Sequence, residues 1–450
     1  MRAQTNCPLL GLGELRPALV TRIAKGLSLK KLLDDVDVFS RETSEHANVV
    51  EWISWCHSHP DVQVTELSVP EAVIPGATLC DVRVATGTGR RRQRDDLIYN
   101  RNAEIRRRVA RGNCVLRLPD GRLLCLTHAL KKFTGGMGDE DDDCSGGDDS
   151  TWRRYFLRSP EAAERLVLTQ KANGEAAHLS ARYVDGSFLV CVGSKNVHMV
   201  LRQESDIARY ADQRYRVARE VAAAVWRLLE AMGEGQRQLL LSFLHHTRLT
   251  AVMELLQPDR QSIEDLSKLV EHTLHFIAWA PTLGCDMSYC GCPPELGFEL
   301  AEMFGMKTVE HSVVTGDVMN ELPRVMQEVR EGHGYEGKVL YFVDGENNVI
   351  GLLKSKTIWY TLMRAIRDIL CSGLKKLTLQ DFRVKLEGRF RAIQSSRDFD
   401  DRFLNSWLSL GLDFAQWLKA NPGIKSDSLG VSLPPLWNQF LRSTGRTDRL

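Results

Sequence analysis

Three segments of this chain repeat one local pattern: an apolar run, a turn containing Asp-Gly, and a second apolar run. They are GNCVLRLPDGRLLCLTHALKKF (112–133), AAHLSARYVDGSFLVCVGSK (176–195) and GKVLYFVDGENNVIGLLK (337–354). Asp-Gly accepts the positive φ that a tight hairpin needs, so each segment reads as two antiparallel strands. ERLVLTQ (164–170), TAVMELLQP (250–258) and LHFIAWAP (274–281) read as further short buried strands. A chain committed to this many hairpins folds around antiparallel sheets.

Helical spacing appears between and after them. In 206–233, Val217, Val221, Val225, Leu228 and Met232 predict a core-facing stripe. DVMNELPRVMQEVREG predicts a helix ending at Gly332, and beyond 357 the pattern is nearly all helical. There Phe403, Trp407, Leu410, Phe414 and Leu418 mark one buried face. Upstream, LVTRIAKGLSLKKLL and NVVEWISWCHSH are helical, around a Val/Pro-rich stretch at 64–85. The expected class is α+β: an N-terminal extension of unknown role (1–95), a central domain of antiparallel sheets with flanking helices (96–368), and an all-α C-terminal domain (369–450).

Net charge of +1 excludes a uniformly basic surface, so any polyanion must be held in a local cleft. The basic run GRRRQRDD at 89–96 and that at Arg106–Arg108 read as solvated charges flanking a linker or as RNA contacts, and the acidic segment 138–150 as a mobile loop. No run of about 18 apolar residues is present to span a membrane. Eleven scattered cysteines suit reduced thiols, hence a cytoplasmic or nuclear location. His272 and His275 with Cys285, Cys290 and Cys292 could hold zinc, although their irregular spacing suits a loop of reduced thiols.

The motif K-x-x-G occurs three times, at Lys132, Lys171 and Lys385. Only Lys171 stands between a strand and a hairpin, at the end of a sheet where a cleft can form. A nucleophilic lysine must lose its proton, which burial or neighbouring cations promote, and Gly174 would let the backbone turn tightly beside a nucleotide. Further along, GSKN carries Lys195, YEGKVLY carries Glu336, and LLKSK carries Lys354 and Lys356. The last two lie two apart on a strand and so share a face, where a polyphosphate would relieve their repulsion. Glu336 could hold a divalent cation beside those phosphates.

In this order, K-x-x-G, S-K, E-G-x-V and K-x-K resemble the collinear motifs of covalent nucleotidyltransferases, the polynucleotide ligases and mRNA capping enzymes. Over residues 110–370 the chain is most similar to phage-type ATP-dependent RNA ligases and the ligase domain of fungal tRNA-splicing ligases. The resemblance implies an ATP-grasp-like nucleotidyltransferase domain. It implies that Lys171 attacks ATP to form lysyl-N-AMP, with Glu336 holding Mg2+ or Mn2+ and Lys354 and Lys356 neutralising phosphates. It further implies nucleotide or phosphate contacts from Thr169, Gln170, Gly174, Lys195, Glu254, Arg111 and Lys132. Phe276 or Trp279 would stack on adenine, or lie in the core.

The implied partner is RNA with 5′-phosphate and 3′-hydroxyl ends, sealed by a monomer and prepared by a separate end-healing enzyme. Two alternatives stay open: a capping guanylyltransferase, and a catalytically inactive ligase fold that binds RNA.

Overall fold

The computed structural model describes residues 12–23, 27–36, 45–87, 93–136, 151–281, 283–373, 377–421, 423–424 and 429–449. The acidic segment 138–150 and residues 89–92 of the basic run lie outside them.

The first sheet is antiparallel throughout, in the order Val62–Ser68, Thr78–Val84, Asn113–Arg117, Leu123–His128. Its turn closes at Gly121 (φ +85°), with Leu118 N–H donating to Arg122 O. The helix Glu45–Ser58 packs Trp52, Ile53 and Cys56 against Cys80, Val82 and Val115 of this sheet. Two of its strands precede residue 95 and two follow it, so the sheet runs across the boundary expected there.

The second sheet has six strands, in the order Lys307–Thr308, Thr273–Ala280, Thr250–Leu256, Glu175–Val184, Ser187–Gly193, His198–Leu201. Asp185 (φ 51°) and Gly186 (φ 79°) both take positive φ in its hairpin turn, the geometry that matches strand twist. The third sheet has five, in the order His311–Thr315, Ala163–Gln170, Gly337–Asp344, Val349–Lys356, Thr134–Gly135. Its long hairpin turns on Asn347 (φ 67°) rather than at Gly345. Two short pairings are parallel, Thr273–Ala280 with Lys307–Thr308 and Val349–Lys356 with Thr134–Gly135. The sheets are therefore mixed where hairpin signals alone predicted antiparallel pairing.

The helix expected over 206–233 begins at Arg216 and ends at Ala231, after two 3₁₀ turns. Its buried face is Ala218, Val221, Ala222, Val225 and Leu229, while Val217, Leu228 and Met232 are half-buried. The predicted stripe is thus rotated. Alanine brings the helix axis closer to the sheet than bulkier residues allow, a fit that a search for large apolar side chains misses.

Four helices form the C-terminal region: Ile358–Gly373, Leu379–Gln394, Asp401–Ala420 and Leu429–Thr444. Thr378 and Asp381 form a capping box at the second. Trp407, Phe414, Trp437 and Phe440 meet in its core, where burial stabilises each by about 2–3 kcal/mol relative to exposure. Phe403 is half-buried at the margin. Ile263 joins this same core, and Gln261 N–H donates to Val431 O at 2.7 Å, so the segment after the strand Thr250–Leu256 is clamped onto the helices. No helix among the described residues is long and apolar enough to cross a membrane.

Candidate active site

The third sheet builds the site by register. Gln170 pairs with Lys338 and Gly337 pairs with Lys356. Lys171, one residue beyond its strand, continues the ladder by donating its backbone N–H to Gly337 O at 2.9 Å. Glu336, one residue before its strand, therefore faces Lys171 across the sheet end. Lys171 Nζ lies 2.9 Å from Glu336 Oε1, and Asn173 Nδ2 donates to Glu336 Oε2 at 2.7 Å. Gly337 must be glycine here: φ is +152°, and a Cβ would stand 2.0 Å from Ser355 O.

Lys354 and Lys356 occupy the neighbouring strand on one face, 8% and 7% exposed, with Lys354 Nζ over the Phe133 ring at 5.6 Å. The helix Ile358–Gly373 begins immediately after them and supplies Tyr360, whose hydroxyl accepts from Asn173 Nδ2 at 3.2 Å. Together these groups open onto a cavity of about 520 Å³, whose wall carries nine Lys and Arg side chains against three carboxylates. Arg364, Arg389 and Arg397, from the helical region, line its far side. Such an excess of cationic over acidic side chains around one cavity suits a polyphosphate.

Three carboxyl groups lie around Lys171, Glu336 and Glu264 buried and Glu254 half-buried, and they titrate apart. Burial raises Glu336, but Lys171 and Lys356 outweigh it and hold the carboxylate below its ordinary value. Burial pushes Glu254 up to about 7 against the pull of Lys171 and of Gly174 N–H, which donates to Glu254 Oε1 at 3.0 Å. Glu264, whose carboxylate accepts from the Glu336 backbone N–H, is likewise pushed up to about 7 by burial. For Lys171, burial disfavours the ammonium, yet Glu336 and Glu254 prevail and hold its pKa above the usual lysine value. The nearest charges to Lys171 are carboxylates, so its pKa is raised where a nucleophilic lysine calls for a depressed one.

Other expected residues are placed as follows. Lys132 lines the cavity and is paired with Asp96; Arg111 lines it too and is paired with Asp95. Lys195 Nζ lies 2.7 Å from Asp95 Oδ2, in an adjoining cavity that shares Arg94, Asp96 and Arg111 with the first. Thr169 is buried in the ladder, its hydroxyl donating to Val339 O at 3.3 Å, and Gln170 N–H donates to Glu310 O. Gly174 packs on the Leu255 carbonyl, where a Cβ would be 2.3 Å from the oxygen.

Phe276 and Trp279 are fully buried, 4.7 Å apart, with Phe243, Phe298 and Phe304 around them. Trp279 Nε1 donates to Gly297 O. They stand in the core, and neither lines the cavity.

His272 pairs with Asp259, and the set with His275, Cys285, Cys290 and Cys292 is not gathered into a metal-ligating group among the described residues. Glu264, Asn173, Tyr360 and the three arginines escape sequence reasoning. The signal in hand was Tyr360, inside the segment that follows K-x-K.

A family model described as a domain of unknown function, DUF7920, matches residues 156–367. No curated protein matches the chain. Among solved structures, the chain is similar to an archaeal ATP-dependent RNA ligase in form 1, at 12% identity over 88% of this chain and 86% of that one, with a TM-score of 0.44. Form 2 gives 12% identity over 68% of each chain and a TM-score of 0.39. The Naegleria gruberi RNA ligase with PPi gives 13% identity over 66% of this chain and 96% of that one, with a TM-score of 0.29.

Proposed function

We propose that this chain is an ATP-dependent RNA ligase that seals 5′-phosphate to 3′-hydroxyl ends. The observation that carries the reading is the Lys171–Glu336 pair at a cavity walled by nine cationic side chains. Once its ammonium has lost a proton to solvent, Lys171 Nζ attacks the α-phosphorus of ATP, forming a P–N bond as the bond to pyrophosphate breaks. Lys354 and Lys356 take up the charge that accumulates on the departing phosphates. The adenylyl group then passes to the RNA 5′-phosphate, and the 3′-hydroxyl displaces AMP to form the phosphodiester.

The donor set suits Mg2+ or Mn2+: Glu336 is an oxygen ligand, and beside it the buried Asn173 Oδ1 has no hydrogen-bond partner. A divalent cation held there would neutralise phosphate charge and compete with Lys171 for the Glu336 carboxylate. The helices that follow Lys356, and the arginines they bring to the cavity, favour a ligase over a capping enzyme, whose corresponding domain is β-rich.

The test is covalent labelling. The chain is incubated with α-labelled ATP or GTP and Mg2+, denatured, and resolved on a gel beside Lys171→Ala. Label from ATP that the variant loses, followed by closure of a nicked or single-stranded RNA, is expected. Label from GTP alone would indicate capping, and no label from either would leave an RNA-binding protein without ligase chemistry.

A further inference from the structure

Away from the cavity, the first two sheets meet around a buried group of ligand-type side chains. Asp81 and Cys114 pair directly across adjacent strands of the first sheet, and His198 comes from the edge strand of the second. One donor atom from each lies within 4.8 Å of the others. Cys191, on the strand beside His198, has its thiol hydrogen-bonded to that of Cys114 and lies 3.4 Å from Thr127 Oγ1. All four are buried, and Leu116, Leu126, Leu189 and Val200 enclose them.

We propose that Asp81, Cys114, Cys191 and His198 form a structural zinc site that pins the first sheet to the second. Thiolate and imidazole donors select zinc over magnesium or calcium. Zn–N and Zn–S bonds of about 2.0–2.3 Å place tetrahedral donors roughly 3–4 Å apart, inside the 4.8 Å spread of the Asp81, Cys114 and His198 donors, with Cys191 joining them through its thiol contact with Cys114.

The surrounding groups are those a zinc site uses. His198 Nε2 is 3.2 Å from His178 Nδ1, which fixes the ring with Nδ1 turned toward Asp81 Oδ1 at 2.8 Å. Zinc takes the place of the proton between Nδ1 and Oδ1. Arg214 Nη2 holds the other Asp81 oxygen at 3.2 Å. Two thiolates and one carboxylate against Zn2+ and Arg214 leave the site neutral, as burial requires.

Metal analysis of the full chain tests this. Protein purified without chelators is expected to carry about one zinc per chain. Exchange with Co2+ is expected to give the intense thiolate-to-cobalt absorption, and Cys114→Ser and His198→Gln each to lose it, whereas Lys171→Ala keeps it. The wild-type metal content and cobalt spectrum decide the matter even where a variant fails to fold. A folded wild-type chain that binds neither ion overturns the proposal. So does zinc retained by Cys114→Ser, or a Cys114–Cys191 disulfide found by non-reducing peptide mapping.

Discussion

Lys171 Nζ and Glu336 Oε1 are 2.9 Å apart, and the pair holds the proposed nucleophile in its unreactive, protonated form. Because the pKa lies above the usual lysine value, the neutral fraction at pH 8 is smaller than for a surface lysine. Glu336→Gln removes the largest cause of the rise and leaves burial, which lowers the pKa, against the smaller pull of Glu254. Mild acylation of the metal-free chain at pH 8, read by peptide mass mapping, should therefore label Lys171 more slowly than exposed Lys307. The variant should label several-fold faster at Lys171, yet accept no label from ATP. Equal acylation in both chains would show that Glu336 does not govern the amine.

Glu264 gives a stability prediction with a definite sign. Its folded pKa, about 7, lies above the unfolded carboxylate value of about 4.3. The folded chain thus binds this proton more tightly, and the resulting stability is present at low pH and lost between about pH 4.3 and 7. Glu264→Gln keeps an oxygen for the Glu336 N–H without the charge. In urea denaturation the variant should exceed wild type at pH 8 by about 3–4 kcal/mol, and the two should coincide near pH 4. A variant less stable at pH 8 would mean that the ionised carboxylate is compensated there.

The hairpins were legible because Asp-Gly turns and apolar runs are local signals, and the register they impose brings Lys171, Glu336, Lys354 and Lys356 to one sheet end. Glu264 was not legible. It sits in an irregular segment whose position is set by Ile263 and Gln261 gripping the C-terminal helices, contacts more than a hundred residues away. Asp95 and Asp96 looked like solvated charges beside a basic run, yet they pair with Arg111, Lys195 and Lys132. For Phe276 and Trp279, three apart, strict alternation would put the rings on opposite faces; the register shift that skips Ile277 in the pairing with Val252 and Met253 accompanies both rings being inside.

The cationic cavity predicts that an anion stabilises the fold. Lys171→Ala, which cannot turn over, should melt at a higher temperature with pyrophosphate and Mg2+. A hundredfold excess over Kd adds about 2.7 kcal/mol. The shift should shrink in high salt, which screens the pairing, and should largely vanish when Lys354→Ala and Lys356→Ala are added. An undiminished shift in that triple variant would place the anion elsewhere.

Two of the three K-x-x-G glycines can be told apart by one methyl group. Gly174, after Lys171, would bring a Cβ to 2.3 Å from the Leu255 carbonyl oxygen, a backbone atom held in the strand Thr250–Leu256. The chain must shift there, and the shift pulls Gly174 N–H off Glu254. Gly388, after Lys385, lies inside the helix Leu379–Gln394 with nothing within 4 Å of its Cβ position. Gly174→Ala is expected to cost on the order of 1–3 kcal/mol and to depress labelling from ATP even at temperatures where the chain stays folded. Gly388→Ala should gain about 0.5–1 kcal/mol from helix propensity and leave labelling unchanged. Parallel urea melts and labelling assays measure both. If the two alanines behave alike, the approach to Leu255 is not what ties K-x-x-G at Lys171 to its site.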